Sequence, residues 1–177
     1  MEKSRFVFSG AGGQGVITAA IVLAEAAVLY EQLNATQAQS YGPEARGGAT
    51  RSDVIIHDRA IHFPKVLRPN VLVCLTQEAY NKYASIVRPE GIVLTDTRFV
   101  AISKKIEARQ IELPMYQTVV EQLENPLVFN SCMLGAVVGL THLIRPDSIM
   151  NVLRQRFSRG ADVNCRAVNL GLELVTS

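Results

Sequence analysis

A chain of 177 residues, 48% of them hydrophobic, is long enough to form one domain that buries about 70% of its unfolded surface. A net charge of +2 gives no electrostatic basis for binding nucleic acid or an anionic membrane. The absence of tryptophan and the 6% aromatic content argue against an all-β sandwich and favour a parallel sheet covered by helices.

The N-terminal residues Met1–Arg5 lead into an apolar run and lack the hydrophobic core of a secretory signal. The longest apolar stretch, Leu127–Ile144, includes Asn130 and His142 and is predicted to be a buried helix, not a membrane span. We therefore expect a cytoplasmic protein with neither membrane nor nucleic acid as a partner.

The three cysteines, Cys74, Cys132 and Cys165, are odd in number and far apart in the sequence. Zinc and iron–sulfur sites normally need four nearby ligands, so we predict three buried, free thiols. The chain is not expected to hold a metal ion or an iron–sulfur cluster by itself.

The first half of the chain alternates strand-length apolar runs with helical patterns. The predicted elements are a strand Arg5–Ser9, a glycine turn and helix over Gly13–Leu33, strands Ala35–Ser40 and Arg51–His57, a hairpin partner Ala60–Phe63, and a buried strand Val71–Leu75. Thr76 is predicted to cap the helix that follows.

The second half contributes two strands, Ile92–Thr95 and Ile111–Leu113, and then helices. Asn130 or Ser131 is expected to cap a helix through Leu143, Pro146 to begin one through Phe157, and Asp162 to cap the last. The pattern predicts one α/β domain over residues 1–177 with three layers, a mainly parallel, Rossmann-like sheet and a helical C-terminal part.

A glycine-rich turn follows the first strand. Gly10, Gly12 and Gly15 satisfy G-x-G-x-x-G, which directs backbone N–H groups and a helix N-terminus toward an anion. We predict that the turn binds a cofactor through Gly10, Gly12, Gly13, Gln14 and Gly15. The alternative is a tight turn that only packs the helix on the sheet. A dinucleotide domain should also carry an acidic residue about 20 residues later, and Ala35–Gln39 has none.

A second unusual loop, Ser40–Gly48, follows the second predicted strand. Charged and aromatic side chains lie among three glycines and a proline, which is typical of binding loops, although a surface connection is the alternative. The predicted binding residues here are Tyr41, Glu44, Arg46, Gly47 and Gly48. We expect both loops to emerge at the carboxyl edge of the sheet and to line one cleft.

Together the two loops resemble the gamma subunit of 2-oxoacid:ferredoxin oxidoreductases. The segments Arg51–Val54, Pro64–Lys65 and Thr76–Tyr80 match the same pattern, and the resemblance runs from about Arg5 to about Leu174. The Tyr-Gly-Pro-Glu-Ala-Arg form is more similar to the 2-oxoglutarate and branched-chain types than to the indolepyruvate type.

The resemblance implies a subunit of an enzyme that oxidatively decarboxylates a 2-oxoacid, with 2-oxoglutarate favoured, to an acyl-CoA and passes electrons to ferredoxin. Thiamine diphosphate and iron–sulfur clusters would be held by thiamine-binding alpha/beta-type subunits and a ferredoxin-like subunit, so the isolated chain is expected to be inactive. No catalytic residue is assigned. A stand-alone NADP-binding oxidoreductase and a nucleotide-binding regulatory module remain the alternatives.

The apolar helix also carries a G-x-x-x-G pattern at Gly135 and Gly139. In a soluble chain this pattern indicates close helix packing, within the chain or against another copy. We expect a homodimer when the other subunits are absent.

Overall fold

The computed structural model describes residues 1–40 and 49–176. Its strands and helices are, in chain order, β1 (Ser4–Gly10), α1 (Val16–Tyr30), β2 (Asn34–Gln39), β3 (Thr50–His57), β4 (Val71–Cys74), α2 (Gln77–Tyr83), β5 (Ile92–Asp96), β6 (Arg109–Leu113), α3 (Met115–Leu123), α4 (Phe129–Thr141), α5 (Pro146–Arg156) and α6 (Ala161–Thr176).

The strands form one sheet in the order β2-β3-β1-β4-β5-β6. β1, β4, β5 and β6 are parallel, and β3 runs antiparallel to both of its neighbours, β1 and β2. Five strands therefore point in one direction, which confirms the predicted mainly parallel sheet.

Apolar side chains cover both faces of the sheet, because alternate residues of a strand point to opposite sides. Phe6 and Phe8 of β1 contribute to a large core that also contains buried side chains of α1, α3, α4, α5 and α6. Val7 belongs to a smaller core on the other face, with α2. The result is the predicted three-layer α/β domain, with five helices on one face.

Helices α4 and α6 pack with their backbones almost in contact. A Cβ atom on Gly135 would lie 2.1 Å from the carbonyl oxygen of Val168, and one on Gly171 would lie 1.9 Å from that of Cys132. The close packing indicated by the G-x-x-x-G pattern is therefore confirmed, but its partner is α6 of the same chain. The homodimer stays a prediction without support from this face.

The expected hairpin partner Ala60–Phe63 is wrong, since these residues form no strand. β3 already has β1 on one side and β2 on the other, so neither edge is available to a further strand. The segment after β3 instead continues without regular secondary structure to Val66, whose side chain is buried.

Several helix ends also differ from the prediction. Helix α4 starts at Phe129 without a side-chain cap, and Asn130 and Ser131 instead donate hydrogen bonds to the Gly15 carbonyl and to the Asn164 side chain. Asp162 lies inside the first turn of α6 and does not precede it. The Thr76 cap is confirmed, because its hydroxyl accepts a hydrogen bond from the Ala79 N–H.

Helix α3 was not predicted, although the apolar residues Met115, Val119 and Leu123 recur every four positions.

None of the helices in the described part of the chain combines the length and the apolar character that crossing a bilayer requires.

Candidate functional site

The glycine turn joins the carboxyl end of β1 to the first turn of α1 and depends on two residues with positive φ. Gly13 has φ of 87° and Gly15 has φ of 74°, values that favour glycine strongly. Gly15 is also crowded, because an added Cβ would lie 2.6 Å from the Asn130 side chain. By contrast, a Cβ on Gly12 would meet no atom of residues 1–40 or 49–176 within 4 Å. Gly12 is thus the point of the turn that faces open space.

Gln14 closes the turn internally. Its Oε1 accepts a hydrogen bond from the Ala11 N–H (2.7 Å), and its Nε2 donates one to the Leu75 carbonyl (3.1 Å). The sequence suggested that this amide would be offered to a ligand, but both of its polar atoms hold the turn against the residue after β4. Gly10 is required for this arrangement, since a Cβ there would lie 2.5 Å from Gln14 Oε1. Gly10 and Gln14 therefore shape the turn from within.

Two cavities lie on either side of the turn, and Gly12 and Gly13 line both. One, of about 380 Å³, is bounded by the first turn of α1, including Thr18, and by Thr50 at the start of β3. The other, of about 340 Å³, extends toward α3 and α4. No intrahelical carbonyl lies N-terminal to the first turn of α1, so its N–H groups are available to an anion.

The second cavity has an aromatic wall that sequence inspection missed. Phe99, Tyr116 and Phe129 contact one another with ring-centroid distances of 5.1 to 5.9 Å. The Arg98 guanidinium lies 5.1 Å from the centre of the Tyr116 ring, and Leu127 at the rim is 86% exposed. The three rings come from separate segments, so no local pattern could have joined them. The wall can pack against a flat or apolar ligand group beside the turn.

Asp96 at the end of β5 holds this wall in place. Its carboxylate accepts hydrogen bonds from the Tyr116 N–H (2.8 Å) and the Arg98 N–H (2.9 Å). Burial raises the pKa of Asp96, and the hydrogen bonds from these backbone groups only partly oppose that effect. The side chain serves as a cap for α3 and orients Tyr116.

The second predicted loop begins and ends at the same edge of the sheet as the turn. Thr50 pairs with Gly10, and Gln39 pairs with Ser52. Five predicted site residues of this loop, Tyr41, Glu44, Arg46, Gly47 and Gly48, lie outside the described residues. The ends of the loop are placed as expected, and the roles of those five stay predictions.

Arg51, which follows this loop, is held inside the chain. Its guanidinium donates to the Asp53 carboxylate (2.7 Å) and to the Val66 carbonyl (2.6 Å), and it lies 5.2 Å from the centre of the Tyr83 ring. The alternative of an NADP-binding enzyme needs a basic side chain that is free to meet the 2′-phosphate. Arg51 instead pairs with Asp53 on the same strand, and the hydrogen bonds of these two side chains to Val66 tie β3 to the segment before β4.

The strand order also differs from that of a dinucleotide-binding domain. There the strand after the first helix lies beside the first strand, and its tip holds the ribose. In this sheet β3 separates β2 from β1. The tip of β2 therefore lies two strands away from the glycine turn, which counts against NADP binding in the usual manner.

The cysteines are buried and free, as predicted. Burial raises the pKa of the Cys74 and Cys132 thiols to about 12, so both are protonated at neutral pH and are poor nucleophiles. Among residues 1–40 and 49–176, no cluster of three or more His, Cys, Asp or Glu side chains could hold a metal ion.

Comparisons with known proteins agree with this fold. The model of the pyruvate ferredoxin/flavodoxin oxidoreductase family matches residues 5–174. 2-Oxoglutarate synthase subunit KorC of Methanocaldococcus jannaschii is 40% identical, over 94% of this chain and 90% of the relative. The crystal structure of a keto/oxoacid ferredoxin oxidoreductase gamma subunit from Geobacter sulfurreducens superposes with a TM-score of 0.89 at 34% identity, covering 98% of this chain and 99% of that one.

A third structure shares the fold at lower identity. It is 2-oxoglutarate:ferredoxin oxidoreductase from Magnetococcus marinus with 2-oxoglutarate, coenzyme A and succinyl-CoA bound, with a TM-score of 0.87, 19% identity, and coverage of 99% of this chain and 31% of that one. The family match over nearly the whole chain and the full-length relatives confirm the resemblance seen in the two loops. The chain therefore belongs to the pyruvate ferredoxin/flavodoxin oxidoreductase family, as a gamma-type subunit of the 2-oxoacid:ferredoxin oxidoreductases.

Proposed function

We propose that this chain is the gamma subunit of a thiamine-diphosphate-dependent complex that oxidatively decarboxylates 2-oxoglutarate, and that its glycine turn contacts coenzyme A. The observation that carries the second part is the open space in front of Gly12, between two cavities at the carboxyl edge of the sheet. Ligands of open α/β sheets bind at this edge.

The choice of substrate is supported by sequence similarity. The 40% identity is to a subunit of a 2-oxoglutarate synthase, whereas a pyruvate synthase subunit PorC of Methanothermobacter marburgensis is 31% identical. The Tyr41–Arg46 sequence form is similar to both the 2-oxoglutarate and the branched-chain types, so it supports either of these over the indolepyruvate type. Branched-chain 2-oxoacids and pyruvate are the competing substrates.

Coenzyme A fits the chemistry of the turn and its surroundings. Its phosphates need N–H donors, which the Gly12–Gly13 backbone and the start of α1 can supply. Its adenine and its pantetheine arm have flat and apolar parts that can pack on Tyr116 and Phe129. The Thr18 and Thr50 residues add hydroxyl groups at the opposite cavity.

The loop 41–48 completes this proposal. Because its ends lie at the same edge, Arg46 is proposed to bind a phosphate or carboxylate bidentately, with Tyr41, Glu44, Gly47 and Gly48 shaping the loop around the ligand. Arginine suits this role better than lysine, since its planar fork matches two oxygens at once.

Other subunits are proposed to hold the remaining cofactors. Thiamine diphosphate stabilises the carbanion left by loss of CO₂, and iron–sulfur clusters carry electrons to ferredoxin. The three cysteines of this chain are buried as neutral thiols and do not fit a cluster. Thiamine-binding alpha/beta-type subunits and a ferredoxin-like subunit are therefore the proposed partners. Free cysteines also suit the reducing cytoplasm, where we place the complex.

The test is the substrate range of the assembled complex. The chain is co-expressed with its thiamine-binding and ferredoxin-like partners, and coenzyme A-dependent reduction of ferredoxin is measured with 2-oxoglutarate, pyruvate and 2-oxoisovalerate. We expect the highest kcat/KM with 2-oxoglutarate. A higher kcat/KM with pyruvate or 2-oxoisovalerate would overturn the assignment of 2-oxoglutarate as the substrate. Reduction of ferredoxin without coenzyme A would overturn the proposed role of coenzyme A.

A further inference from the structure

A second surface lies at the opposite edge of the sheet, where the segments that precede β1, β4 and β5 meet. It contains a groove of about 710 Å³, which we call the basic groove. Its basic and apolar lining residues are Arg5, Lys65, Arg68, Arg88, Phe63 and Leu67. Because it lies at the amino ends of the strands, it is separate from the glycine turn.

The segment that carries the exposed apolar side chains is held firmly. Val66 is buried, its N–H donates to Asp53 (2.9 Å), and its carbonyl accepts from Arg51 (2.6 Å). Phe63 and Leu67 on either side are 60% and 71% exposed. Since Val66 is held inward by these bonds, its neighbour Leu67 is held on the solvent side, close to Phe63 in the groove lining. Large apolar groups held in solvent in this way mark an interaction surface.

The charge of the groove is positive and only partly neutralised. Arg88 is paired with Glu2 at 2.6 Å, and Glu90 is the other acidic residue at the groove. Within the described residues, Lys65 and Arg68 form no salt bridge, and the buried Arg88 Nε has no hydrogen-bond acceptor. A partner that fits would bring carboxylates together with apolar side chains.

The shape favours a polypeptide over other acidic partners. A membrane surface is flat and cannot enter a concave groove, and a net charge of +2 gives little attraction to one. A small-molecule site buries most of its ligand, whereas this groove is open and has apolar side chains on its rim. Aromatic, aliphatic and arginine side chains side by side are typical of protein interfaces.

We propose that the basic groove docks an acidic segment of another subunit of the same complex, with its carboxylates on Lys65 and Arg68 and an apolar side chain between Phe63 and Leu67. This rests on the proposed function only in assuming that the other subunits exist. It places the contact away from the glycine turn, while Lys65 and Leu67 also line another cavity with Ser40 and Arg51, beside the ends of the 41–48 loop.

Carbodiimide cross-linking of the assembled complex tests the contact directly, because it joins a lysine amine to a carboxylate only where the two already touch. We expect Lys65 to be joined to an Asp or Glu of a partner subunit, and Lys65→Gln to remove that product. Lys105, which is exposed elsewhere, is the reference lysine. A complex in which Lys65 forms no cross-link while others do would overturn the proposal.

The second measurement is the affinity of a partner subunit for a double variant that reverses the charge and the polarity of the groove. Leu67→Asp with Arg68→Glu should weaken binding of one partner subunit by about 10-fold or more and reduce the salt dependence of binding. The matched control is Leu29→Asp with Lys105→Glu, since Leu29 is 58% exposed on α1. Thermal denaturation of the isolated chains checks that both variants fold.

The possible outcomes separate this inference from the proposed function. Wild-type affinity in the groove variant, with the complex intact, overturns the groove contact alone. Failure of the wild-type chain to bind any thiamine-binding or ferredoxin-like subunit overturns the proposed function and the contact with it. Binding of anionic phosphatidylserine vesicles that the groove variant loses, with subunit binding unchanged, would assign the groove to a membrane and overturn the contact.

Discussion

At the scale of single residues, the glycines of the turn have different physical tasks. Gly15 needs both its positive φ and the space next to Asn130, whereas Gly12 needs neither. A motif match treats them alike. Since no atom of residues 1–40 or 49–176 fills the space at Gly12, we expect a ligand or partner to approach there.

Gly12→Ala should therefore leave folding intact and weaken the binding of coenzyme A. The added methyl group meets no atom of the described residues, so we expect an unchanged melting temperature and a rise in the KM for coenzyme A of about 10-fold, equivalent to about 1.4 kcal/mol. Gly15→Ala is the contrasting control: it should lower the melting temperature, because the left-handed conformation costs about 1–2 kcal/mol with a side chain. A normal KM in a correctly assembled Gly12→Ala complex would make the turn purely structural.

Arg46 offers a second test at this scale. If its guanidinium binds a phosphate or carboxylate, Arg46→Ala should lower kcat/KM of the complex about 10- to 150-fold, the equivalent of about 1.5–3 kcal/mol. Arg46→Lys should recover only part of the loss, because lysine cannot bind bidentately. Arg59→Ala, at an exposed position near the other edge, serves as the control. If Arg46→Ala has the same kinetics as the wild type, Arg46 does not bind a phosphate or carboxylate of the ligand.

At the scale of elements, helix α5 is fastened to the end of α1 by one carboxylate. Glu31 accepts hydrogen bonds from the Ser148 hydroxyl (2.6 Å) and from the N–H and side chain of Arg145. Burial raises the pKa of Glu31, but the hydrogen bonds from Ser148 and Arg145 outweigh it and leave that pKa below its usual 4.5. The ionised form is therefore the one that stabilises the fold.

It follows that Glu31→Gln should destabilise the protein in a pH-dependent way. A lowered carboxyl pKa contributes stability above the unfolded value, near 4.5, and that contribution disappears as the pH falls through the folded value. We expect a loss of about 1–2 kcal/mol in the free energy of unfolding at neutral pH. The difference from wild type should shrink below pH 4.5 in urea titrations. Glu25→Gln, in a half-exposed pair with Arg156, should change stability little at any pH.

The contact of α4 with α6 makes a further prediction. Gly135→Ala should destabilise the fold by about 1–3 kcal/mol, because the new Cβ would overlap the Val168 carbonyl and the helices must separate. Gly139→Ala is the matched control: its Cβ would meet the end of the Val175 side chain, which can move. Equal stability of the two variants in chemical denaturation would mean that the helices separate at little cost.

Elements with a strong local pattern could be predicted, and those defined by distant contacts could not. The buried strand Val71–Cys74 and the start of α5 at Pro146 follow from apolar runs and from proline. The insertion of β3 between β2 and β1 has no local signal, and it alone excludes a hairpin partner at Ala60–Phe63. The aromatic wall likewise depends on the segment after β5 meeting α3 and α4 at one edge, whereas the glycine turn was visible as a motif.

At the scale of the whole molecule, the sheet has two edges with different properties. The carboxyl edge holds the glycine turn, the ends of the 41–48 loop and the aromatic wall, and the amino edge holds the basic groove. Among the described residues, several ionisable groups form structural pairs, as in Arg51–Asp53 and Glu31–Arg145. We therefore expect one edge to serve a ligand, the other a partner, and the reaction itself to depend on other subunits.

We accordingly predict that the purified chain does not oxidise 2-oxoglutarate with coenzyme A and methyl viologen. Carbanion stabilisation and electron transfer need thiamine diphosphate and redox centres, and the protonated, separately buried cysteines cannot supply the latter. Adding the thiamine-binding and ferredoxin-like subunits should restore turnover, and leaving this chain out should abolish it. The Gly12→Ala chain, added in place of wild type, should restore assembly but only part of the rate at limiting coenzyme A. Turnover by the purified chain alone would contradict this prediction, and full activity of the other subunits without it would make the chain dispensable for catalysis.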